Sequence, residues 1–404
     1  MKCVRKVTED IFWVGASDRR LALFENIFPI PRGVSYNAYL LLDEKNVLFD
    51  TVDFAVSRQF IENLKGLLGE KTIDYLIVNH MEPDHGATLQ EIASIYPDMK
   101  IVGNAKTVQM IKQFFDFDID SRSVVIKEAD TLSTGKHTLQ FYMAPMVHWP
   151  EVMVTYDMES KILFSADAFG TFGALNGNIF NDEILFEQDW MDDARRYYMN
   201  IVGKYGAQVQ ALLKKAANLD IAIICPLHGP VWRSNVEYFI NKYDQWSRYE
   251  PEENTVMIAY ASMYGDTEQA VNILAAELAE EGVKNIRMYD ISNTDVSELV
   301  SEAFRCSHLV LAAPTYNGGV YPVMETFLLD LKAHNFQNRT VALIENGSWA
   351  PAAYKNMKQI LEEMKNIEMF EKPLSIKSAL KESQMDELVD LKNRILVSLK
   401  GNNE

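Results

Sequence analysis

Through roughly the first 245 residues, short apolar runs alternate with polar turns and a few amphipathic stretches. The runs at 38–42, 47–49, 76–78, 100–102, 139–143, 153–156 and 162–164 predict strands. Helical spacing of apolar positions at 57–68 and 105–115 predicts helices. Strands mixed with helices point to stacked sheets covered by helices. At 246–255 the chain turns polar and acidic around Pro251, which predicts a linker. Beyond it the pattern is strict alternation. Strands are expected at 256–261, 286–289, 308–313 and 341–344, and helices at 266–281, 297–304, 323–333, 352–365 and 385–400. Continuous apolar strands separated by amphipathic helices predict a doubly wound parallel sheet. The reading is an α/β chain of two domains, 1–249 and 254–404, with no internal repeat or low-complexity tract.

Composition adds limits. The 404 residues suffice for two sizeable cores, and 48% hydrophobic with 24% charged residues is ordinary for a globular chain. A net charge of −18 argues against nucleic acid and anionic membranes as partners. Three cysteines, Cys3, Cys225 and Cys306, form no CxxC pair. That excludes a disulfide framework, a rubredoxin-type iron site and an iron–sulfur motif within these residues, and predicts a reducing, cytoplasmic compartment. No apolar run is long enough for a signal peptide core or a membrane span.

The candidate chemistry begins at His80-Met81-Glu82-Pro83-Asp84-His85, directly after the apolar run 75–78. Two imidazoles and two carboxylates at the end of a strand, on a loop, can converge on a metal. His148 follows another strand, Asp167 ends one, and His228 follows the run 221–224. Mixed nitrogen and oxygen ligation suits Fe better than a tetrahedral nitrogen–sulfur site would, with Zn and Mn also compatible. Asp50 follows the strand at 47–49, a place that fits either a bond to a ligand or a turn. His137 and His334 lack this context and read as surface residues.

Three further loops sit at predicted strand ends. The first is Ser262-Met263-Tyr264-Gly265-Asp266-Thr267, which runs into a helix. Hydroxyls and amide N–H groups at a helix N-terminus bind anions, and no Gly-Lys-Ser/Thr ending marks a nucleotide-hydrolysing loop. The others are Pro314-Thr315-Tyr316-Asn317-Gly318-Gly319 and Asn346-Gly347-Ser348-Trp349-Ala350. They fall where an open α/β sheet places its ligand, and Tyr316 and Trp349 are suited to flank a flat ring.

The metal-ligand set resembles that of the metallo-β-lactamase superfold, but Glu82 stands where its hydrolases carry histidine. The phosphate cradle resembles that of the flavodoxins, with Asp266 where asparagine is commoner. Together the two halves resemble the flavodiiron proteins over essentially the whole chain. The resemblance implies an N-terminal αββα sandwich and a C-terminal flavodoxin-like sheet. It implies one iron on His80, Glu82 and His148, a second on Asp84, His85 and His228, and Asp167 bridging, these seven forming the catalytic centre. Tyr197 resembles a tyrosine close to the irons. The implied cofactors are FMN, on the three loops, and two non-haem irons. The implied activity is reduction of O2 to water, NO to N2O, or both. Electrons would come from a separate soluble donor, a rubredoxin or a reduced deazaflavin, since no rubredoxin domain follows residue 404. A head-to-tail homodimer, or a dimer of such dimers, is the implied assembly. The alternative is a zinc hydrolase with an appended flavodoxin domain. Glu82 argues against it, because such hydrolases carry histidine there, and three carboxylates at one site fit redox chemistry better than Lewis-acid hydrolysis.

Overall fold

The computed structural model describes residues 2–401. The chain divides between Asp244 and Gln245 into two compact units.

The first unit holds a seven-stranded and a five-stranded sheet. In the larger sheet, Val47–Phe49, Tyr75–Ile77, Lys100–Gly103 and Ser123–Val125 run parallel in that order. Tyr39–Leu41 lies antiparallel on the other side of Val47–Phe49. The smaller sheet ends with Met153–Asp157, Ile162–Phe164 and Ile223–Cys225, the last pair parallel. Phe164 stacks on Phe49 with centroids 3.8 Å apart and meets Tyr39 edge-on at 5.5 Å. The two sheets therefore face each other across an aromatic core. The helix Ser57–Leu68 covers an outer face with Phe60, Leu64 and Leu68 buried. This is the expected αββα arrangement.

The second unit is a parallel sheet in the order Arg287–Asp290, Glu253–Tyr260, Cys306–Tyr316, Gln337–Asn346 and Lys365–Met369. Leu374–Ile376 also pairs with Gln337–Asn346. One face packs Val256, Ile258, Val310, Ala312 and Ile344 against the helices Asp266–Glu280 and Met385–Gly401 through Leu274, Leu278, Leu391 and Ile395. The strand order reverses between Glu253–Tyr260 and Cys306–Tyr316, which is where such sheets hold a ligand.

Four expectations are corrected. The helix expected at 352–365 is Ala353–Leu361, and Lys365–Met369 is a strand. Glu362, Glu363 and Met364 favour helix, but pairing with Gln337–Asn346 overrides that propensity. The linker expected at 246–255 is shorter. The helix Val236–Ser247 carries buried Trp246, and the strand Glu253–Tyr260 carries buried Thr255. Asp84 and His85 lie on the one-turn helix Pro83–Gly86 rather than on open loop. Pro83 starts it, because its fixed φ and missing N–H suit a first helical position. Finally, His137 is buried. Its Nδ1 lies 2.8 Å from Asp157 Oδ2 and its Nε2 3.0 Å from Asp10 Oδ2. His334 is half-buried at the end of the helix Pro322–Ala333.

Candidate metal centre and cofactor site

The turn after Tyr75–Ile77 is held by Asp50. Its Oδ1 accepts the Asn79 and His80 amides at 2.7 and 3.1 Å, and its Oδ2 accepts Asn79 Nδ2 at 2.8 Å. Asp50 sits at φ 56, a left-handed conformation that costs a non-glycine residue energy and persists where surroundings enforce it. The position that sequence left open between a ligand's partner and a turn thus fixes the backbone of His80. Glu151, which the sequence pattern did not mark, receives His80 Nδ1 at 2.8 Å and the Met81 amide at 2.9 Å. A carboxylate only accepts, so Nδ1 carries a proton and Nε2 is the ring nitrogen that faces the pocket. His228 is set the same way, with Nδ1 2.8 Å from the Ser35 carbonyl. Gly229 beside it has φ +73, and a Cβ there would lie 2.1 Å from Thr171 Cγ2.

His80, Glu82, His148 and Asp167 bring ligand atoms within 4.8 Å of one another, and so do Asp84, His85 and His228. Glu82 Oε2 is 3.2 Å from His80 Nε2 and 3.0 Å from His148 Nε2. Asp84 Oδ2 is 3.5 Å from His85 Nε2 and 3.3 Å from His228 Nε2. Asp167 reaches both groups: Oδ2 lies 2.9 Å from His148 Nε2, and Oδ1 3.1 Å from His85 Nε2. Ligands about 2.1 Å from one ion stand roughly 3.0–3.4 Å apart, so these spacings suit one cation per group.

The electrostatics point the same way. His85 Nε2 and His228 Nε2 are 3.0 Å apart, both facing the pocket. Both Asp84 oxygens and Asp167 Oδ1 are buried, and among the described residues they meet imidazole nitrogens but no well-aligned hydrogen-bond donor. Buried carboxylates without donors are costly unless a cation meets them. Burial opposes a charge on His148, yet bonds to Asp167 and Glu82 push its pKa up to about 9. The field of this pocket thus favours positive charge, and the residues fit two metal cations. Aromatic rings close it off: Phe24 and Tyr197 lie 5.4 and 5.5 Å from the His228 ring. The Tyr197 hydroxyl is buried with no partner among the described residues. Glu25, on the turn after Leu23–Phe24, turns its carboxyl to Glu82; partial burial of that carboxyl and the contact push it up to about 8.

In the second unit a cavity of about 440 Å³ opens at the strand ends. It is lined by Ser262, Met263, Tyr264, Asp266 and Thr267, by Pro314, Thr315, Asn317 and Gly318, and by Asn346 to Ala350. Gly265, Tyr316 and Gly319 lie outside the lining, and Ser378 joins it. Tyr316 does not flank the cavity; its ring packs edge-on against Tyr321 at 5.6 Å. Gly265 caps the helix Asp266–Glu280 at φ 97. Ser262 Oγ accepts the Gly265 and Glu268 amides at 3.1 and 3.3 Å. Free N–H groups and hydroxyls at this helix start fit a phosphate. Trp349 and Tyr264, 91% and 94% exposed, stand at the mouth.

Comparison with known proteins matches residues 34–229 to the ODP family of beta lactamases and 258–388 to flavodoxin. An anaerobic nitric oxide reductase flavorubredoxin of Escherichia coli is 30% identical over 94% of this chain and 78% of its own. The rubredoxin oxygen:oxidoreductase of Desulfovibrio gigas superposes with a TM-score of 0.91 at 28% identity, covering 98% of this chain and 99% of that one. A variant of the flavo di-iron protein of Thermotoga maritima gives 0.88 at 25% identity, covering 97% and 98%.

Proposed function

The chain belongs to the flavodiiron family of oxidoreductases, and we propose that it reduces a diatomic gas, O2 to water or NO to N2O, with electrons from a separate soluble donor. Its cofactors are FMN and a non-haem diiron centre. When bound, FMN supplies electrons one at a time and the iron pair supplies open positions for a diatomic ligand. His80, Glu82 and His148 would hold one iron, Asp84, His85 and His228 the other, and Asp167, whose oxygens reach both groups, would serve both. Residues 1–249 form the diiron domain and residues 254–404 the flavin domain.

The observation that carries the reading is Glu82 Oε2 standing between His80 and His148 at 3.2 and 3.0 Å, opposite Asp167. A second carboxylate in that group makes the site harder and more anionic than an all-histidine one. Phe24, Phe172 and Tyr197 exclude water around His228, which strengthens every charge contact within.

The donor proposed is a rubredoxin, as the Desulfovibrio relative's name suggests, or a reduced deazaflavin. The exposed Trp349 and Tyr264 suit a head-to-tail homodimer, or a dimer of such dimers, in which a second subunit covers the flavin. Unpaired cysteines suit the cytoplasm.

Metal, flavin and hydrolase measurements on one purified sample test the reading. The expected result is two Fe and one FMN per chain with no thioester hydrolysis. Two Zn, no Fe and rapid thioester hydrolysis would restore the zinc hydrolase.

A further inference from the structure

The last strand, Leu374–Ile376, pairs in parallel with Gln337–Asn346, with Ile376 opposite Asn346. The chain therefore leaves both strands at one end of the sheet. Two residues later Ser378 stands at φ +68, a left-handed conformation uncommon for serine. The loop is held in place. The Ser378 carbonyl accepts Asn346 Nδ2 at 2.8 Å, and its hydroxyl meets that of Ser348 at 2.9 Å. The same Asn346 amide reaches Thr267 Oγ1 at 3.3 Å. One side chain thus ties the anion cradle to the loop after the last strand, and Ser378 lines the shared cavity.

The chemistry of the cavity gives this hydroxyl a task. Among the described residues no lysine or arginine lines it, and Asp266 adds a negative charge beside the cradle. A phosphate ester here is held by neutral donors and the helix N-terminus alone. Each extra O–H donor then matters. The Ser378 hydroxyl donates to Ser348 Oγ, which leaves the Ser348 hydrogen free to point into the cavity and makes the pair act as one donor.

We propose that Ser378, paired with Ser348, is a fourth point of attachment for the flavin and binds its ribityl phosphate tail. The inference rests on the FMN reading above. A flat flavin ring is recognised by the loops carrying Asn317 and Trp349. The tail, rich in hydroxyls and oxygens, is recognised by Ser262, Thr267 and the Ser348–Ser378 pair.

The test is binding of FMN and of lumiflavin, which has the ring but no tail, to the full chain stripped of flavin. Flavin fluorescence quenching reads both. Ser378→Gly removes the hydroxyl and tolerates the left-handed backbone, so folding is spared; Ser378→Ala is run beside it. One neutral hydrogen bond corresponds to a change of roughly threefold to tenfold in Kd. The expected result is that rise for FMN in both variants, with lumiflavin unchanged. An unchanged Kd for FMN, or an equal rise for both flavins, overturns the assignment of Ser378. Failure of the unaltered chain to bind FMN overturns instead the flavin reading on which it rests.

Discussion

Replacing Glu151 by glutamine asks how far the grip on one metal depends on a residue outside the ligand set. Glu151 is buried, with Oε1 accepting His80 Nδ1 at 2.8 Å and the Met81 amide at 2.9 Å. Burial disfavours its charge, yet the bonds from His80 and Met81 hold it below the usual carboxylate range. Glutamine keeps an acceptor oxygen but deletes the charge. A hydrogen bond to a charged group contributes about 1.5–3 kcal/mol and a neutral one about 0.5–1.5. The difference, about 1–1.5 kcal/mol, weakens His80 as a donor to its metal roughly five- to tenfold, at the lower edge of the 10–100-fold range for such outer partners. Alanine goes further. It strands two buried N–H groups at about 1–3 kcal/mol each, so the loop itself should loosen. Anaerobic Fe(II) titration of the metal-free chain, followed by thermal unfolding of the same samples, reads both effects. The expected outcome for Glu151→Gln is one weakened iron per chain, the other site and FMN content unchanged, and little loss of stability. Two irons bound at the original affinity in both variants would refute the reasoning, leaving Glu151 as a fastener of the loop.

Two further predictions concern the same unit. Gly229→Ala places a methyl 2.1 Å from Thr171 Cγ2 at φ +73, so it should displace the loop bearing His228 at a strain of about 1–3 kcal/mol. Iron content should fall with the melting temperature, and a variant holding two irons at the original melting temperature would contradict the placement. His137, although burial opposes its charge, is raised by its bonds to Asp10 and Asp157. A histidine whose folded pKa exceeds its unfolded one, about 6.5, contributes stability fully below that pH and loses it as pH rises through the folded value. The melting temperature should therefore decline more steeply above neutrality in the unaltered chain than in His137→Gln; parallel curves would count against it.

Much of the fold was legible because its strands are continuous apolar runs and its helices amphipathic. Val47–Phe49, Ile162–Phe164 and Ser57–Leu68 have the bounds their apolar spacing implied. The strand Lys365–Met369 was hidden, because its alternating polar residues continue a helix-favouring stretch and only the sheet edge decides otherwise. His80, Asp84, His85 and His228 stood out as polar residues directly after apolar strands. Glu151 carries no such mark. It lies 71 residues from His80, and only the packing of two sheets brings the carboxylate to the ring. Ser378 escaped notice for a similar reason, since its loop follows a three-residue strand joined to the sheet through Asn346. His137 looked like a surface residue because its two carboxylate partners, Asp10 and the strand-end Asp157, lie 127 and 20 residues away in the sequence.

The most direct test of the account is reoxidation of the flavin in the presence of each gas. The protein is purified anaerobically, its FMN photoreduced, and O2 or NO added in separate runs to samples with and without iron. The account expects fast reoxidation with at least one gas only when iron is bound, and the ratio of the two rates gives the preference. Equal rates with and without iron would contradict it.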